Sequence, residues 1–218
     1  MYTIKSYLPK SIKDIIKRVT LTKSFFYENK KFTPDKEDIL KAEECLKLPT
    51  SVLFFTTHKC ASTFIPTLFK TITKNSNYKL KDYAQAIWSL GDELDIKQDQ
   101  KDSISNFLEE AADELFFRRG YIYAPLRFPV DFPERNQLKH IFFLRDPRDV
   151  LVSSYYSFGF THAEPKNSKA KKRFQAKRKL AQQKGIDNYV INEATNYLDR
   201  YLKYKELLET SNSYLYLK

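Results

Sequence analysis

Residues 51–70 constrain the fold of this chain more than any other part of the sequence. Four apolar, β-favouring residues at positions 52–55 predict a buried strand. A polar turn over residues 56–61 follows, and its single lysine is Lys59. Apolar residues then recur at helical spacing as far as Ile72. The pattern therefore predicts a strand, a tight loop and a helix, which is the repeating unit of α/β domains.

The predicted loop has the chemistry of an anion-binding site. Lys59 supplies a positive charge, and Ser62 and Thr63 place hydroxyl groups at the predicted start of the helix. Free main-chain N–H groups and the positive end of the helix dipole add to the attraction. The loop is not a Walker A loop, because residues 51–70 contain no glycine. An ordinary strand-to-helix turn with a solvated lysine is the alternative interpretation of this segment alone.

A second strand, loop and helix are predicted over residues 139–158. Residues 141–144 form another apolar run that predicts a buried strand. Asp146 is a predicted N-cap and Pro147 stands at the first helical position. Asp149 completes a helix start that resembles a capping box.

Arg145 ends this second strand, and Ser153 follows eight residues later on the predicted helix. Parallel strands end at the same edge of a sheet, where α/β folds bind their ligands. We therefore expect Arg145 and Ser153 to lie beside the loop of Lys59. Two neighbouring anion-binding stations suit a ligand that carries two separated phosphate-like groups.

The two segments together resemble the signature regions of a known enzyme family. The pattern T-x-x-K-x-x-S-T follows the first strand, and L-R-D-P-R-D-V-x-V-S-S-Y-Y spans the second strand end and its helix. Both are similar to the signature regions of the sulfotransferases, which use 3′-phosphoadenosine-5′-phosphosulfate (PAPS). The resemblance covers residues 49–218 and is weakest over 74–120. It implies a P-loop-like, three-layer α/β/α fold with a mostly parallel central sheet, preceded by an N-terminal helical extension over residues 1–48.

The resemblance also implies roles for particular residues. Lys59 corresponds to the catalytic lysine that stabilises charge on the leaving phosphate, and Arg145 and Ser153 correspond to the residues that hold the 3′-phosphate. The implied binding site for the 5′-phosphosulfate consists of Lys59, Cys60, Ala61, Ser62, Thr63 and Phe64. The expected reaction is in-line transfer of a sulfuryl group to a hydroxyl or amine of a carbohydrate, a lipid or a small alcohol.

The general base is not identified by this resemblance. Cytosolic family members carry a histidine on the third strand, shortly before a proline. Residues 121–124 predict that strand here, and Tyr123 occupies the histidine position, with Pro125 in register. Tyrosine, with a reference pKa of ~10, is a poor base near neutral pH, so we expect Tyr123 to line the acceptor side without being an obligatory base. Five other candidates stay open: Asp82, Asp92, Glu93, His58 and His162.

The excess of positive charge, +11 at pH 7, predicts an anionic partner such as a nucleotide, an acidic glycan, nucleic acid or a membrane surface. The strongest basic run, residues 166–184, is interpreted either as a solvated helix or loop or as a lid that attracts a sulfated or phosphorylated acceptor. Nucleic-acid binding is disfavoured, because no nucleic-acid-binding motif accompanies the run. Residues 8–19 predict a basic amphipathic helix, which either packs on the domain or contacts an anionic membrane.

Three further features bear on compartment and cofactors. No apolar run approaches the ~20 residues of a membrane-spanning helix, and the sequence does not begin with a signal-peptide pattern. The two cysteines, Cys45 and Cys60, make no disulfide framework, which favours a reducing cytoplasm, with a position at the membrane periphery as the open alternative. The three histidines do not pair with cysteines at zinc spacing, so no metal is expected.

The remaining sequence predicts mainly helices, over residues 38–46, 99–117 and 186–208. Residues 79–95 follow no clean period, and their Tyr83 and Trp88 are interpreted either as acceptor-pocket or as core aromatics. The residues expected on the inner face of the last helix are Val190, Ile191, Ala194, Leu198, Tyr201 and Leu202.

A final strand is predicted from Tyr214 to the end of the sequence. The late basic, glycine-containing loop of the sulfotransferases has no match after Ser153, so we expect the family domain to be C-terminally incomplete. One alternative is an inactive or truncated nucleotide-binding relative that acts as a basic membrane- or nucleic-acid-binding module. A nucleotide kinase or NTPase of related fold is disfavoured by the missing Walker A glycines and by the pairing of Arg145 with Ser153.

Overall fold

The structure, a computed structural model, describes residues 47–61, 64–83, 103–164 and 168–217. The predicted helices over residues 8–19 and 38–46 lie outside these ranges. In chain order, the elements are β1 (Val52–Thr56), α1 (Phe64–Lys74), β2 (Lys79–Lys81), α2 (Ser103–Glu110), α3 (Ala112–Leu115), β3 (Tyr121–Leu126), a 3₁₀ turn (Arg135–Gln137), β4 (Lys139–Phe143), α4 (Pro147–Tyr156), a π-helical turn (Ser157–Thr161), α5 (Ser168–Glu209) and β5 (Tyr214–Leu217).

The strands form one sheet in the order β2-β3-β1-β4-β5, and every neighbouring pair is parallel. The first strand therefore lies at the centre, with β3 on one side and β4 on the other. The carboxyl ends of all three strands open at the same edge of the sheet. This arrangement confirms the predicted α/β class with a parallel central sheet.

Apolar residues cover both faces of the sheet. Leu53 and Phe55 of β1 pack in the larger core, which also contains Tyr204 of α5. Val52 and Phe54 point to the opposite face, where α1 packs. Successive side chains of a strand point to opposite faces, so a strand buried on both sides reads as a continuous apolar run. This is why residues 52–55 were recognisable as a strand from sequence.

The apolar face predicted for α1 is only partly buried. Ile65 and Phe69 face the sheet. Phe64, Leu68 and Ile72 are exposed by 61%, 42% and 46%, respectively. The helical period was predicted correctly, and only part of the apolar stripe is buried.

The elements between α1 and β4 differ more from prediction. β2 was not predicted, because three residues that include two lysines carry no clear pattern. The predicted helix over 99–117 is two short helices within the described residues, separated at Ala111, whose φ of −101° and ψ of 15° are not helical. β3 continues past Pro125, the predicted stop, because Leu126 still pairs with Phe55 after a shift in register.

Two helical halves make up α5, and they meet at Gly185, whose φ of 69° and ψ of 170° interrupt the helix. The second half matches the predicted helix over 186–208, and its inner face was predicted in part, since Val190 and Tyr201 pack against the core. Ile191, Leu198 and Leu202 are exposed, whereas tyrosines and a leucine face the core. The buried residues of this half are Tyr197, Tyr204 and Leu207. Tyrosine rings pack like apolar side chains when their hydroxyls find partners, so apolar residue type alone did not identify this face.

Candidate functional site

The loop after β1 is held in an uncommon backbone conformation. Lys59 and Ala61 have φ angles of 67° and 50°, in the left-handed region that side chains with a Cβ rarely occupy. Apart from the turn over His58 and Lys59, no main-chain carbonyl of the described residues accepts a hydrogen bond from the N–H groups of residues 58–61. The loop therefore offers unused main-chain donors beside the Lys59 side chain, which is the arrangement of an anion-binding nest.

The side chains after Lys59 contribute in different ways. Cys60 is buried, with its Sγ 2.9 Å from the Thr57 hydroxyl oxygen. It can therefore meet a ligand only through its main chain. The carbonyl of Ala61 accepts a hydrogen bond from the N–H of Phe64 at 2.8 Å, and this contact starts α1. Ser62 and Thr63, the predicted hydroxyl donors, lie outside the described residues.

The second predicted station lies at the end of β4. Asp146 caps α4, because its carboxylate accepts a hydrogen bond from the N–H of Arg148 at 2.9 Å. Asp149 forms an ion pair with Arg145, with 3.3 Å between the guanidinium nitrogen and the carboxylate oxygen, instead of the predicted capping-box contact. The Arg145 side chain is 49% exposed. Ser153 is half-buried on α4, as the eight-residue spacing predicts.

Tyrosines of α5 fix the ends of these strands. Tyr204 donates its hydroxyl proton to the carbonyl of Thr56 at 2.6 Å, and Tyr201 donates to the carbonyl of Arg145 at 2.6 Å. Burial raises the pKa of Tyr201 to about 12 and raises that of Tyr204 as well. Both hydroxyls therefore stay protonated and act as donors. These contacts link the two predicted stations through one helix.

On the other side of the loop, toward β3, a histidine and an arginine lie against one aromatic ring. The His58 ring contacts Phe128, which follows β3, with 5.8 Å between ring centroids. The guanidinium of Arg200, from α5, lies 5.7 Å from the centroid of the same Phe128 ring. Burial lowers the pKa of His58 to about 3, and the positive charges of Arg200 and Arg127 contribute to this shift. His58 is therefore neutral near pH 7.

The first half of α5 is tied to the π-helical turn. Arg178 donates to the carbonyls of Phe158, at 3.0 Å, and His162. Glu164 forms ion pairs with Lys171, at 2.9 Å, and with Arg178, at 3.7 Å. The basic run is thus helical over its described part, rather than an irregular loop. His162, whose pKa is lowered by burial and then by the charges of Lys59 and Arg178, lies near the loop.

Comparison with known protein families identifies the family of this chain. The family described as "Sulfotransferase domain" matches residues 49–217. The chain belongs to the sulfotransferase domain family. The match contains both predicted stations and all five strands of the sheet, which confirms the resemblance inferred from the two motifs. Comparisons with curated proteins and with solved structures gave no match.

Tyr123 was predicted to line the acceptor side, and this prediction is wrong. It is fully buried, and its hydroxyl oxygen accepts a hydrogen bond from the N–H of Phe117 at 2.5 Å. Tyr83 is also a core residue, with its hydroxyl donating to the carbonyl of Leu115 at 2.5 Å. Both rings stack in the larger core, where aromatic packing holds them away from the edge.

The other candidate bases of the sulfotransferase differ in position. His58 and His162 both lie near Lys59, since the charge of Lys59 lowers both pKa values. Asp82 lies near Arg127, whose charge it stabilises. Asp92, Glu93 and Trp88 lie outside the described residues.

The sequence did not identify two cations of this edge, Arg127 and Arg200. The only signal for Arg127 was its position two residues after Pro125, next to a predicted strand end. Nothing local marks Arg200, because it reaches the loop only through the packing of α5 on the sheet. The tyrosines that hold the strand ends were missed for the same reason.

Other features lie away from the site. A cavity of about 710 Å³ opens at the amino edge of the sheet, beside Leu48, Phe117 and Gly120, and is opposite the Lys59 loop. Within the described ranges, no group of three or more histidine, cysteine, aspartate or glutamate side chains is placed to hold a metal ion. None of the described helices is long and apolar enough to cross a bilayer.

Proposed function

We propose that the protein transfers the sulfuryl group of PAPS to a hydroxyl or amine of an acceptor. The observation that carries this proposal is the pairing of two anion stations at adjacent strand ends of a sulfotransferase domain. Lys59 and its loop follow β1, and Arg145 follows β4, its neighbour in the sheet. One ligand that carries phosphate groups at both ends can therefore reach both stations.

In this arrangement, the donor lies along the carboxyl edge from β4 to β1. Arg145 and Ser153 would hold the 3′-phosphate, with Arg145 exchanging its contact with Asp149 for the phosphate. The unused N–H groups of residues 58–61 and the Lys59 ammonium would hold the 5′-phosphosulfate. Tyr201 supports the 3′-phosphate end, because its hydroxyl holds the carbonyl of Arg145.

In the transfer step, the acceptor oxygen or nitrogen forms a bond to sulfur while the bond between sulfur and the bridging phosphate oxygen breaks. The electron pair of the broken bond stays on that bridging oxygen, and the nucleotide leaves as the 3′,5′-bisphosphate. Lys59 and the loop N–H groups stabilise this developing charge. The acceptor proton passes to a base. His162 and His58 are the described candidates beside the loop, and His58, with a pKa of about 3, is the weaker base of the two.

Nucleotide binding tests this function before any acceptor is known. The matched ligands are adenosine 3′,5′-bisphosphate and adenosine 5′-monophosphate, which differ only by the 3′-phosphate. We expect the bisphosphate to raise the melting temperature far more, since a ligand at a hundredfold excess over its Kd stabilises the native state by ~2.7 kcal/mol. Equal shifts for both nucleotides would contradict the proposed 3′-phosphate station.

A second binding experiment distinguishes the enzyme proposal from the alternative of a basic membrane- or nucleic-acid-binding module. We expect binding to DNA or to anionic vesicles to be weak and to disappear at moderate salt, where surface electrostatics are screened. Absence of a shift with the bisphosphate, together with strong binding to DNA or vesicles, would replace the enzyme proposal with the module.

A further inference from the structure

The carboxyl edge has a second side that the donor does not need. In the order β3-β1-β4, the Lys59 loop is central and Arg145 lies on the β4 side. A donor that spans from β4 to β1 leaves the β3 side for the second substrate. Arg127 and Phe128 follow β3 there, and α5 brings Arg200 to the same place.

Arg200 is held at this place by aromatic rings. Its guanidinium lies 5.7 Å from the ring centroid of Phe128 and 5.4 Å from that of Tyr197. Tyr197 is itself fixed by a hydroxyl–hydroxyl contact with Ser154 at 3.2 Å. Aromatic faces attract a guanidinium without neutralising it, and they leave the N–H groups at its edge free for an anion.

Charge pairing distinguishes Arg200 from the other arginines at this end of the molecule. Arg145, Arg148 and Arg178 each form an ion pair with a carboxylate. Across the described ranges, Arg200 forms no ion pair within 4.0 Å. A half-buried guanidinium is costly to desolvate, so a position without a protein carboxylate suits a ligand that brings the negative charge.

Arg127 provides a second guanidinium on the β3 side of the loop. Its charge and that of Arg200 both act on His58, so both cations approach the Lys59 loop from the β3 side. The carboxylate that acts on Arg127 is Asp82. Two arginines therefore face one side of the loop.

We propose that Arg200, assisted by Arg127, binds an anionic group of the acceptor, so that the acceptor carries a carboxylate or sulfate near the hydroxyl or amine that receives the sulfuryl group. This assignment rests on the proposed function. The two anionic ends of the donor are taken by the Lys59 loop and by Arg145. A third anion on the β3 side therefore belongs to the second substrate. The guanidinium fork matches a carboxylate or a sulfate by paired, charge-assisted hydrogen bonds.

Inorganic sulfate is the probe for this site. The protein is labelled with ¹⁵Nε-arginine and saturated with adenosine 3′,5′-bisphosphate, and sodium sulfate is titrated at constant ionic strength. The Nε–Hε signals of Arg200 and Arg127 are followed, with Arg200→Lys used to assign the first. We expect both signals to shift saturably. Absence of a saturable shift at Arg200 in the wild-type protein would overturn the proposal.

Two variants with the same loss of charge give the control. Arg200→Gln should weaken sulfate binding, read at the Arg127 signal, by at least about tenfold, the loss expected for a charge-assisted contact. Arg118→Gln removes the same charge from an exposed residue before β3, at the opposite edge of the sheet. This variant should change the affinity for sulfate by less than about twofold. Equal affinities in both variants would contradict a sulfate site at Arg200.

Sulfate could also occupy the position of the donor's own sulfuryl group, so the titration is repeated with PAPS bound. An acceptor site keeps its sulfate affinity, whereas loss of sulfate binding would assign Arg200 to the donor instead. In a competition arm, an oligosaccharide that contains glucuronic acid should displace sulfate, and its carboxyl-reduced form should not. Equal competition by both forms would contradict an anionic acceptor.

Failure of this inference and failure of the proposed function give different results. If the bisphosphate does not bind while sulfate still shifts Arg200, the anion site stands and the sulfuryl-transfer proposal fails. If the bisphosphate binds equally to the wild type and to Arg200→Gln but sulfate shifts neither arginine, the function stands and the acceptor assignment fails.

Discussion

Arg145 and Arg200 lie at the same edge of the sheet but are built differently. Arg145 is 49% exposed and pairs with Asp149, four residues away on the same helix start. Arg200 is half-buried between aromatic rings from two segments and has no carboxylate partner within the described residues. A ligand of Arg145 must displace Asp149 from a pair that is exposed to water. Arg200 has no such partner to lose, and aromatic rings already hold its guanidinium in place. The comparison shows that a local motif and a long-range cluster can provide similar cations in very different environments.

The Lys59 loop lies between these two regions, and the largest effect is expected there. We expect Lys59→Ala to lower kcat by ~10²–10³, as for removal of one oxyanion-stabilising group, because the ammonium interacts best with charge that develops during transfer. The measurement is kcat for sulfuryl transfer from PAPS, together with the Kd of the 3′,5′-bisphosphate, which should change less.

Lys74→Ala is the matched control, since this exposed lysine ends α1, away from the loop. It should leave both constants unchanged. Near wild-type kcat in Lys59→Ala would show that the region between Arg145 and Arg200 binds the donor without contributing to the chemistry.

The next largest effect is expected on nucleotide affinity, at Arg145 after β4. Arg145→Ala should weaken adenosine 3′,5′-bisphosphate by at least about tenfold and leave adenosine 5′-monophosphate nearly unchanged, because a charge-assisted contact is worth ~1.5–3 kcal/mol. Isothermal titration calorimetry gives both constants.

Asp149→Asn tests whether the Arg145 guanidinium alone, or its ion pair with Asp149, forms the phosphate site. It removes the ion pair but keeps the arginine, and exposed pairs contribute only ~0.2–1 kcal/mol. The affinity for the bisphosphate should stay equal or improve by a small factor. A loss as large as that of Arg145→Ala would mean that the ion pair, rather than the free guanidinium, forms the site.

The smallest effect on activity is expected for Tyr123 of β3. Tyr123→Phe should lower the free energy of unfolding by ~1–2 kcal/mol, because the N–H of Phe117 loses its buried acceptor, and should retain most activity. Urea denaturation and kcat are measured, with Tyr121→Phe on the same strand as control. An activity loss without a stability loss would restore Tyr123 as a chemical residue and give the β3 side a role beyond binding.

The parts that were predictable from sequence are those whose contacts are local. The Lys59 loop, the N-cap at Asp146 and the spacing from Arg145 to Ser153 all depend on neighbours within about two helical turns, so short patterns contain them. β1 and β4 were recognisable because burial on both faces requires continuous apolar runs.

Packing between distant segments determines the remainder. Tyr123 occupies the position of a catalytic histidine in the motif, yet its ring belongs to an aromatic core formed with Tyr83 and Phe116. The sequence cannot show that the hydroxyl finds the N–H of Phe117, nor that α5 brings Arg200 to Phe128, because both contacts depend on how helices cover the sheet.

The left-handed residues of the Lys59 loop have a consequence for ligand entry. Glycine-rich phosphate loops reach such conformations easily, but they also leave them easily, since glycine samples a wide range of backbone angles. Here side chains at positions 57–61 restrict that range, and the surrounding fold holds Lys59 and Ala61 at φ angles of 67° and 50° against their own preference. An anion that bound here would cost little conformational entropy, because the loop is already held in one conformation. The loop is therefore a preorganised anion site, because folding alone determines its conformation.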